Sequence, residues 1–375
     1  MVFTKSPSKR HAVIALLLLV VVSALLWVYF RGSIAAPPAP PVVVVGDGSN
    51  GPLGMVWVPG GRFLMGSDSA MAQANEKPAH SVHVDGFWMD RTHVTNRDFA
   101  RFVQETGYVT TAQRKPDWET VRVQLPPGIP KPSDDVMVPG AMVFVGTRAP
   151  VDLSQYWQWW EFVPGAYWRE PSGPGSSIQT KLDHPVVQVS YEDVMAYAKW
   201  ANKRLPTEAE WEFAARGGLE QATYVWGDEL MPDGRAQANY WNADQPSFPV
   251  VSPQAGGAVS TMPAGTFLPN GYGLYDMTGN AWQWVADWYR ADYFLLQTRQ
   301  AARLPIKNPE GPSDSFDPSV PGFPVNAPKK VIRGGSFLCN ESYCLSYRPS
   351  ARQGNDPYSS MSHLGFRLVK DAPKP

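Results

Sequence analysis

The chain has 375 residues, with 33 basic against 34 acidic side chains and a net charge of -1. That balance, with no basic block beyond the N-terminus, excludes nucleic acid as a partner. The 37 prolines and 32 glycines exclude a helical bundle or coiled coil, since both need long runs free of helix breakers. Two cysteines are too few for a disulfide-stapled secreted scaffold.

The first feature along the chain is apolar. Lys5, Lys9 and Arg10 precede a stretch from Ala12 to Phe30 with Ser23 as its polar interruption, and Arg31 closes it. This pattern predicts a cytoplasmic N-terminus over 1–11 and a transmembrane signal-anchor over 12–30, preferred to a cleaved signal peptide. Everything after Arg31 is then expected to be exported and membrane-anchored, on the periplasmic side. Residues 31–54, with AAPPAPP followed by valines, read as a semi-extended tether. From 55 to 370 the composition is even, so one domain is expected, taken to be a monomer.

Regular structure in that domain is predicted to be sparse, short elements in an α+β, loop-rich body. Val56–Val58 and Arg62–Met65 flank Pro59-Gly60-Gly61 as a hairpin, and Ser81 to Met89 alternates as a strand. A helix is predicted from Thr95 as N-cap to Gly107, with Phe99, Phe102 and Val103 on one face. Two more start at Ser190 and Thr207, each with an acid three residues on, and Trp211 and Ala214 mark the buried face of the second. Residues 116–178 are rich in proline and in tryptophan (Trp157, Trp159, Trp160 and Trp168), which suits a packed loop or a groove wall. Residues 291–330 read as a second long irregular connection.

Chemistry concentrates near the C-terminal end. Arg333-Gly-Gly-Ser336-Phe-Leu-Cys339-Asn-Glu-Ser-Tyr-Cys344 places both cysteines five positions apart, behind a glycine pair. Zinc or iron–sulfur binding needs four ligands, and no further cysteine exists to complete a set. A small disulfide, a redox dithiol and a two-thiolate Cu(I) site all remain open on spacing alone.

Four segments together resemble the formylglycine-generating enzyme, or sulfatase-modifying factor, family. They are MVWVPGGRFLMGSD, DHPVVQVSYEDVMAYAKWANKRLPTEAEWEFAARGG, PNGYGLYDMTGNAWQWVADWY and VIRGGSFLCNESYCLSYRPSARQGNDPYSSMSHLGFR. Most are shared across the superfamily; the specific part is Cys339 and Cys344 directly after RGGS. The resemblance implies an irregular fold related to C-type lectins, and a Cu(I)- and O₂-dependent oxidase acting on nascent or unfolded sulfatases. Its target is a cysteine in C-x-P-x-R, converted to Cα-formylglycine. Carried over, Cys339 and Cys344 are the copper ligands, with Ser336 and Trp282 beside them. Trp159, Trp168, Arg204, Tyr343, Arg348, Asn355 and His363 are expected to bind substrate or support its groove, although Arg204 equally suits a structural ion pair. The resemblance also implies one Ca²⁺ at Asp276, Gly279, Ala281 and Gln283. A second site, at Asn239 and Tyr240, lacks its aspartate near residue 256 and is not expected to bind. Two other readings accompany the oxidase, a relative performing a different envelope oxidation and a non-catalytic binding module. Asn340-Glu341-Ser342 is a formal glycosylation sequon inside the cysteine loop and is expected to be unused.

Overall fold

Frequent prolines and glycines cut the chain into brief elements. In the computed structural model, which describes residues 42–242, 246–251, 259–300 and 305–372, the first strands are β1 (Met55–Val58), β2 (Gly61–Met65), β3 (His80–Val84) and β4 (Phe87–Asp90). They are followed by β5 (Gly140–Phe144), β6 (Trp160–Pro164), β7 (Trp282–Trp288) and β8 (Ile306–Lys307), then β9 (Lys330–Arg333), β10 (Arg352–Asn355), β11 (Leu364–Phe366) and β12 (Val369–Asp371). The helices are α1 (Asn96–Thr106), α2 (Trp118–Arg122), α3 (Tyr191–Trp200), α4 (Glu208–Arg216) and α5 (Tyr293–Gln300). Modest helix and strand content within one loop-rich domain agrees with the expected class.

The helix boundaries follow local hydrogen-bonding chemistry. Thr95, Ser190 and Thr207 each accept the N–H of the residue three further on, and the acids at those positions, Asp98, Asp193 and Glu210, reach back to the cap N–H. These reciprocal bonds satisfy donors that a helix start leaves orphaned. Gly107 and Gly217 end α1 and α4 in left-handed conformations that favour glycine. Phe99 and Phe102 are buried beneath α1, and Trp211 and Ala214 beneath α4.

Strand pairing departs from the expected hairpin. β1 pairs antiparallel with β4, while β2 pairs antiparallel with β3, so the Pro59-Gly60 corner sends the chain from one sheet into another. The stretch Ser81 to Met89 is likewise two strands broken at Asp85-Gly86, because β3 and β4 belong to different sheets. The connection 291–330 contains α5 and β8 rather than irregular chain alone. Part of the segment read as a tether is attached as well: Val45 bridges Val56, and the Trp57 N–H donates to the Val44 carbonyl at 2.9 Å.

The four-stranded sheet, in the order β10-β9-β7-β11, positions the candidate site. β9 leads directly into the glycine pair and Ser336, β7 begins at Trp282, β10 ends at Asn355, and His363 immediately precedes β11. Apolar side chains bury both flanks: Phe99, Trp168, Tyr197, Trp284 and Phe366 on one, and Val56, Phe87, Trp211, Val285 and Val331 on the other.

The expected membrane placement requires correction. The segment 12–30 lies outside the described residues, and among the described residues no helix is long and apolar enough to cross a membrane. An exported, membrane-anchored location is therefore not retained.

Candidate active site

The cysteine loop is shaped by backbone that only glycine tolerates well. Gly334 and Gly335 take φ of 92° and 69°. A Cβ on Gly334 would lie 2.7 Å from the Met277 carbonyl oxygen, and one on Gly335 would lie 2.8 Å from the Ser346 carbonyl carbon. The pair thus lets the loop press against two neighbouring segments and turn inward. Beyond it, the Cys339 N–H donates to Ser336 O at 3.0 Å and the Cys344 N–H to Asn340 O at 3.0 Å. Asn340 Oδ1 accepts from the N–H groups of Ser342 and Tyr343 and from the Ser342 hydroxyl, which closes the turn between the cysteines. The Asn340 amide is buried and donates to Leu338 O, so the sequon nitrogen faces inward in the folded protein.

Both sulfurs meet at the base of a groove. Cys339 and Cys344 form a disulfide with a Cα–Cα distance of 4.7 Å, Cys339 being buried and Cys344 half-buried. The groove, about 380 Å³ in volume, is lined by Ser336, Trp282, Tyr343, Asn355 and His363 as well as the cysteines. Seven of the sequence-predicted residues therefore converge here. Ser336 is fully buried, and its Oγ accepts the Leu338 N–H at 3.2 Å. The Trp282 N–H donates to the His363 carbonyl at 2.9 Å, which couples β7 to the segment entering β11. Burial holds the His363 imidazole neutral, lowering its pKa to about 3, and its Nδ1 has no partner among the described residues. Its ring lies 4.7 Å from that of Trp160.

The four other residues expected to bind substrate or support its groove do not line it. Trp168 is in the core, edge-on to Phe99 at 5.1 Å, and does not line the groove. Trp159 is fully buried behind the groove wall, where it packs edge-on to Phe248 and Tyr343. Arg204 pairs with Glu210 and Asp371 and bridges to Val369, which is the structural ion pair. Arg348 is buried and pairs with Glu76 at 2.6 Å. The groove instead uses Trp160, one of the clustered tryptophans, together with residues that the sequence left unmarked, among them Met142, Tyr156, Phe248, Gln353 and Met361. Trp160 follows Trp159 by one position, so strand alternation places them on opposite sides of β6; the period-two pairing of 140–144 with 160–164 was the available signal.

The donor sets fit the two expected metals differently. Two sulfurs without a third fixed ligand match a soft, low-coordinate ion once the disulfide is reduced, and among the described residues no cluster of three or more His, Cys, Asp or Glu offers a harder site. The calcium set does not fit. Gln283 Oε1 accepts from Trp211 Nε1 at 2.8 Å and from Arg367 Nε at 2.7 Å. Asp276 Oδ2 accepts the Gly265 N–H at 2.7 Å, and the Ala281 carbonyl lies 2.9 Å from His93 Nε2. The Arg367 guanidinium, itself fully buried, also donates to the Asp276 carbonyl, so a fixed cation already stands among these oxygens. Gly279 contributes a left-handed turn with its N–H on Gly334 O. At the second set, the Asn239 amide is committed to Ser260 O and Asn280 Oδ1, and Tyr240 is buried against Tyr347.

A larger hollow of about 650 Å³ lies between α5 and the loop through Pro309–Asp314. It holds no thiol, and its Arg290 is tied to Asp292 and Asp314. The cysteine groove therefore remains the site where the chain's reactive groups converge.

Residues 44–372 match the sulfatase-modifying factor enzyme 1-like domain, which covers nearly the whole chain. The chain belongs to this family. It is 46% identical over 321 residues to a formylglycine-generating enzyme of Thermomonospora curvata, covering 85% of this chain and 93% of that one. A Mycobacterium tuberculosis protein of the same name is 43% identical over 317 residues, covering 84% and 97%. An inactive C-alpha-formylglycine-generating enzyme 2 of Mus musculus is 36% identical over 324 residues, covering 86% and 87%, so family membership alone does not decide activity. The structure of PvdO from Pseudomonas aeruginosa superposes with a TM-score of 0.53 at 23% identity, covering 90% of this chain and all of that one, which shows a shared fold.

Proposed function

We propose that this family member oxidises a cysteine of an unfolded sulfatase, within C-x-P-x-R or a closely similar motif, to Cα-formylglycine with O₂ as co-substrate. The observation that carries this reading is the meeting of the chain's two cysteines at the base of an open groove. Relatives named formylglycine-generating enzymes at 46% and 43% identity support it.

Reduction of the disulfide frees Cys339 and Cys344 to hold Cu(I), which when bound supplies one-electron exchange with O₂ that an organic side chain lacks. Ser336, buried beside the cysteines, presents its hydroxyl to a small polar molecule there. Trp282 forms an apolar wall beside the sulfurs. Tyr343 and Asn355 face the space a peptide would occupy, and neutral His363 does so without a competing charge. The substrate Cβ loses two electrons as its sulfur leaves as sulfide, and O₂ takes up four. A thiol reductant supplies the other two and is itself oxidised to a disulfide.

The test is direct. Reduced protein is loaded with Cu(I), then incubated aerobically with dithiothreitol and a synthetic peptide carrying C-x-P-x-R, and the aldehyde is sought by mass spectrometry. Cu(I) stoichiometry is measured separately by competition with a chromogenic chelator. Cys339→Ser and Cys344→Ser are each expected to abolish tight Cu(I) binding and turnover. Absence of aldehyde from copper-loaded wild-type protein overturns the reading.

A further inference from the structure

The strand that forms one wall of the groove has an open edge. β5 and β6 make a two-stranded sheet, with Val143 opposite Glu161 and Ala141 opposite Val163. Just beyond the strands, the Val145 N–H donates to Trp159 O at 2.9 Å and the Gly165 N–H to Pro139 O at 3.0 Å. Hydrogen-bonded pairs alternate along an antiparallel ladder, so Glu161 and Val163 also turn their backbone groups toward β5. The N–H and C=O of Trp160 and Phe162 consequently point the other way.

On the far side of β5 the corresponding groups are used. The Met142 N–H donates to Ser360 O at 3.2 Å, and the Ser362 N–H donates to Met142 O at 3.0 Å. Among the described residues, no strand or isolated bridge pairs with the outer edge of β6. Such an edge is a ready template for another extended chain.

Side-chain alternation ties this edge to the chemistry. Trp160 and Phe162 share a face with Met142 and Phe144 across the pair. Of these, Trp160 and Met142 line the groove that holds the cysteines, and Phe162 remains 41% exposed beside them. Tyr156, also on the groove wall, stands against the exposed Trp157 at 5.6 Å. An unpaired backbone edge and a row of aromatic rings thus run together into the site.

We propose that the polypeptide substrate docks by adding a strand to the outer edge of β6, pairing with the backbone of Trp160 and Phe162 while its apolar side chains lie over their rings. This rests on the reading that the substrate is an unfolded polypeptide, and it extends recognition from the reacting cysteine to its neighbours. Backbone pairing gives affinity that does not depend on side-chain identity. It also demands an extended segment, which a folded domain does not offer.

The test is an N-methyl scan of the C-x-P-x-R peptide. Methyl groups are placed one at a time on the amides flanking the cysteine, and KM and kcat are measured with the full chain. Methylation is expected to raise KM about tenfold at every second position and to leave the intervening ones near wild type, because one hydrogen bond is lost and a methyl group meets the strand edge. Phe162→Pro, which removes an outward N–H without touching the β5 ladder, is expected to raise KM by a similar factor while kcat holds. A thermal melt checks that this variant folds, and if it does not, the peptide scan alone decides. Oxidation of every methylated peptide with unchanged KM, or a dependence without alternation, overturns strand addition while leaving the proposed function standing. Failure to oxidise the unmethylated peptide instead overturns the proposed function.

Discussion

Arg348 and Glu76, 272 positions apart in the sequence, meet in a buried pair at 2.6 Å that ties the end of the cysteine loop to the N-terminal part of the domain. Arg348 Nε also donates to the Leu345 carbonyl, and the Ser350 hydroxyl donates to Glu76 Oε2. The pair therefore fixes the segment directly after Cys344. Removing one member strands a buried charge, so Glu76→Gln is expected to cost about 3 kcal/mol in urea unfolding. The double variant Glu76→Gln/Arg348→Met is expected to lose less than the two single losses added together. Additive losses would show that the two side chains do not depend on each other.

Gly335 tests whether the loop is placed by its backbone. With φ of 69° and a Cβ position 2.8 Å from Ser346, alanine there meets both torsional strain and a steric clash with backbone. Gly335→Ala is expected to destabilise by about 1 to 3 kcal/mol and to displace Ser336 and the cysteines that follow. Turnover per folded molecule should then fall further than the melt alone accounts for. Unchanged turnover would mean that the loop finds its place without the glycine.

How much of this was legible in the sequence follows from the range of each signal. Caps such as Thr95 with Asp98, and Thr207 with Glu210, act within one turn and were readable from spacing. The cysteine loop was readable because its residues are contiguous. Sheet pairing was not: β1 and β2 look like a hairpin, yet β4 and β3 claim them, and nothing within Pro59-Gly60-Gly61 encodes those partners. The same limit applies to charged side chains. Arg204 has Glu210 six residues on, so its ion pair was readable locally, whereas Arg348 lies next to a site motif but its partner Glu76 is distant in sequence and draws it into the scaffold. Trp168 packs on Phe99 in the core while Trp160 lines the groove, a division that the tryptophan cluster alone does not encode because burial depends on which face of the chain meets the core.

The oxygen set around Gln283 predicts indifference to calcium. Arg367 and Trp211 already donate to Gln283 Oε1, and a divalent ion would have to displace a buried guanidinium. Millimolar CaCl₂ is therefore expected to leave the thermal midpoint of the full chain unchanged, since a ligand stabilises only when the folded state binds it. A calcium-dependent rise of several degrees, abolished by Asp276→Ala, would show that the arginine gives way.

His363 predicts a specific response to acid. Its pKa falls from 6.5 to about 3 through burial, so below the higher value the unfolded chain takes up a proton that the folded chain refuses. Stability attributable to this group is complete above about pH 6.5 and declines as the pH falls toward 3, by up to about 1.4 kcal/mol per pH unit. His93, lowered to about 3 by burial and by Arg367, contributes in the same direction. Asp287 opposes both, because burial and the neighbouring Glu208 raise its pKa to about 8. Comparison with His363→Asn cancels the contributions common to both proteins. The variant is expected to lose less stability than wild type between about pH 6.5 and about pH 5, read by urea unfolding at several pH values. Parallel pH profiles for the two proteins would mean that the His363 imidazole accepts its proton in the folded state, and that the groove it lines is wetter than its burial implies.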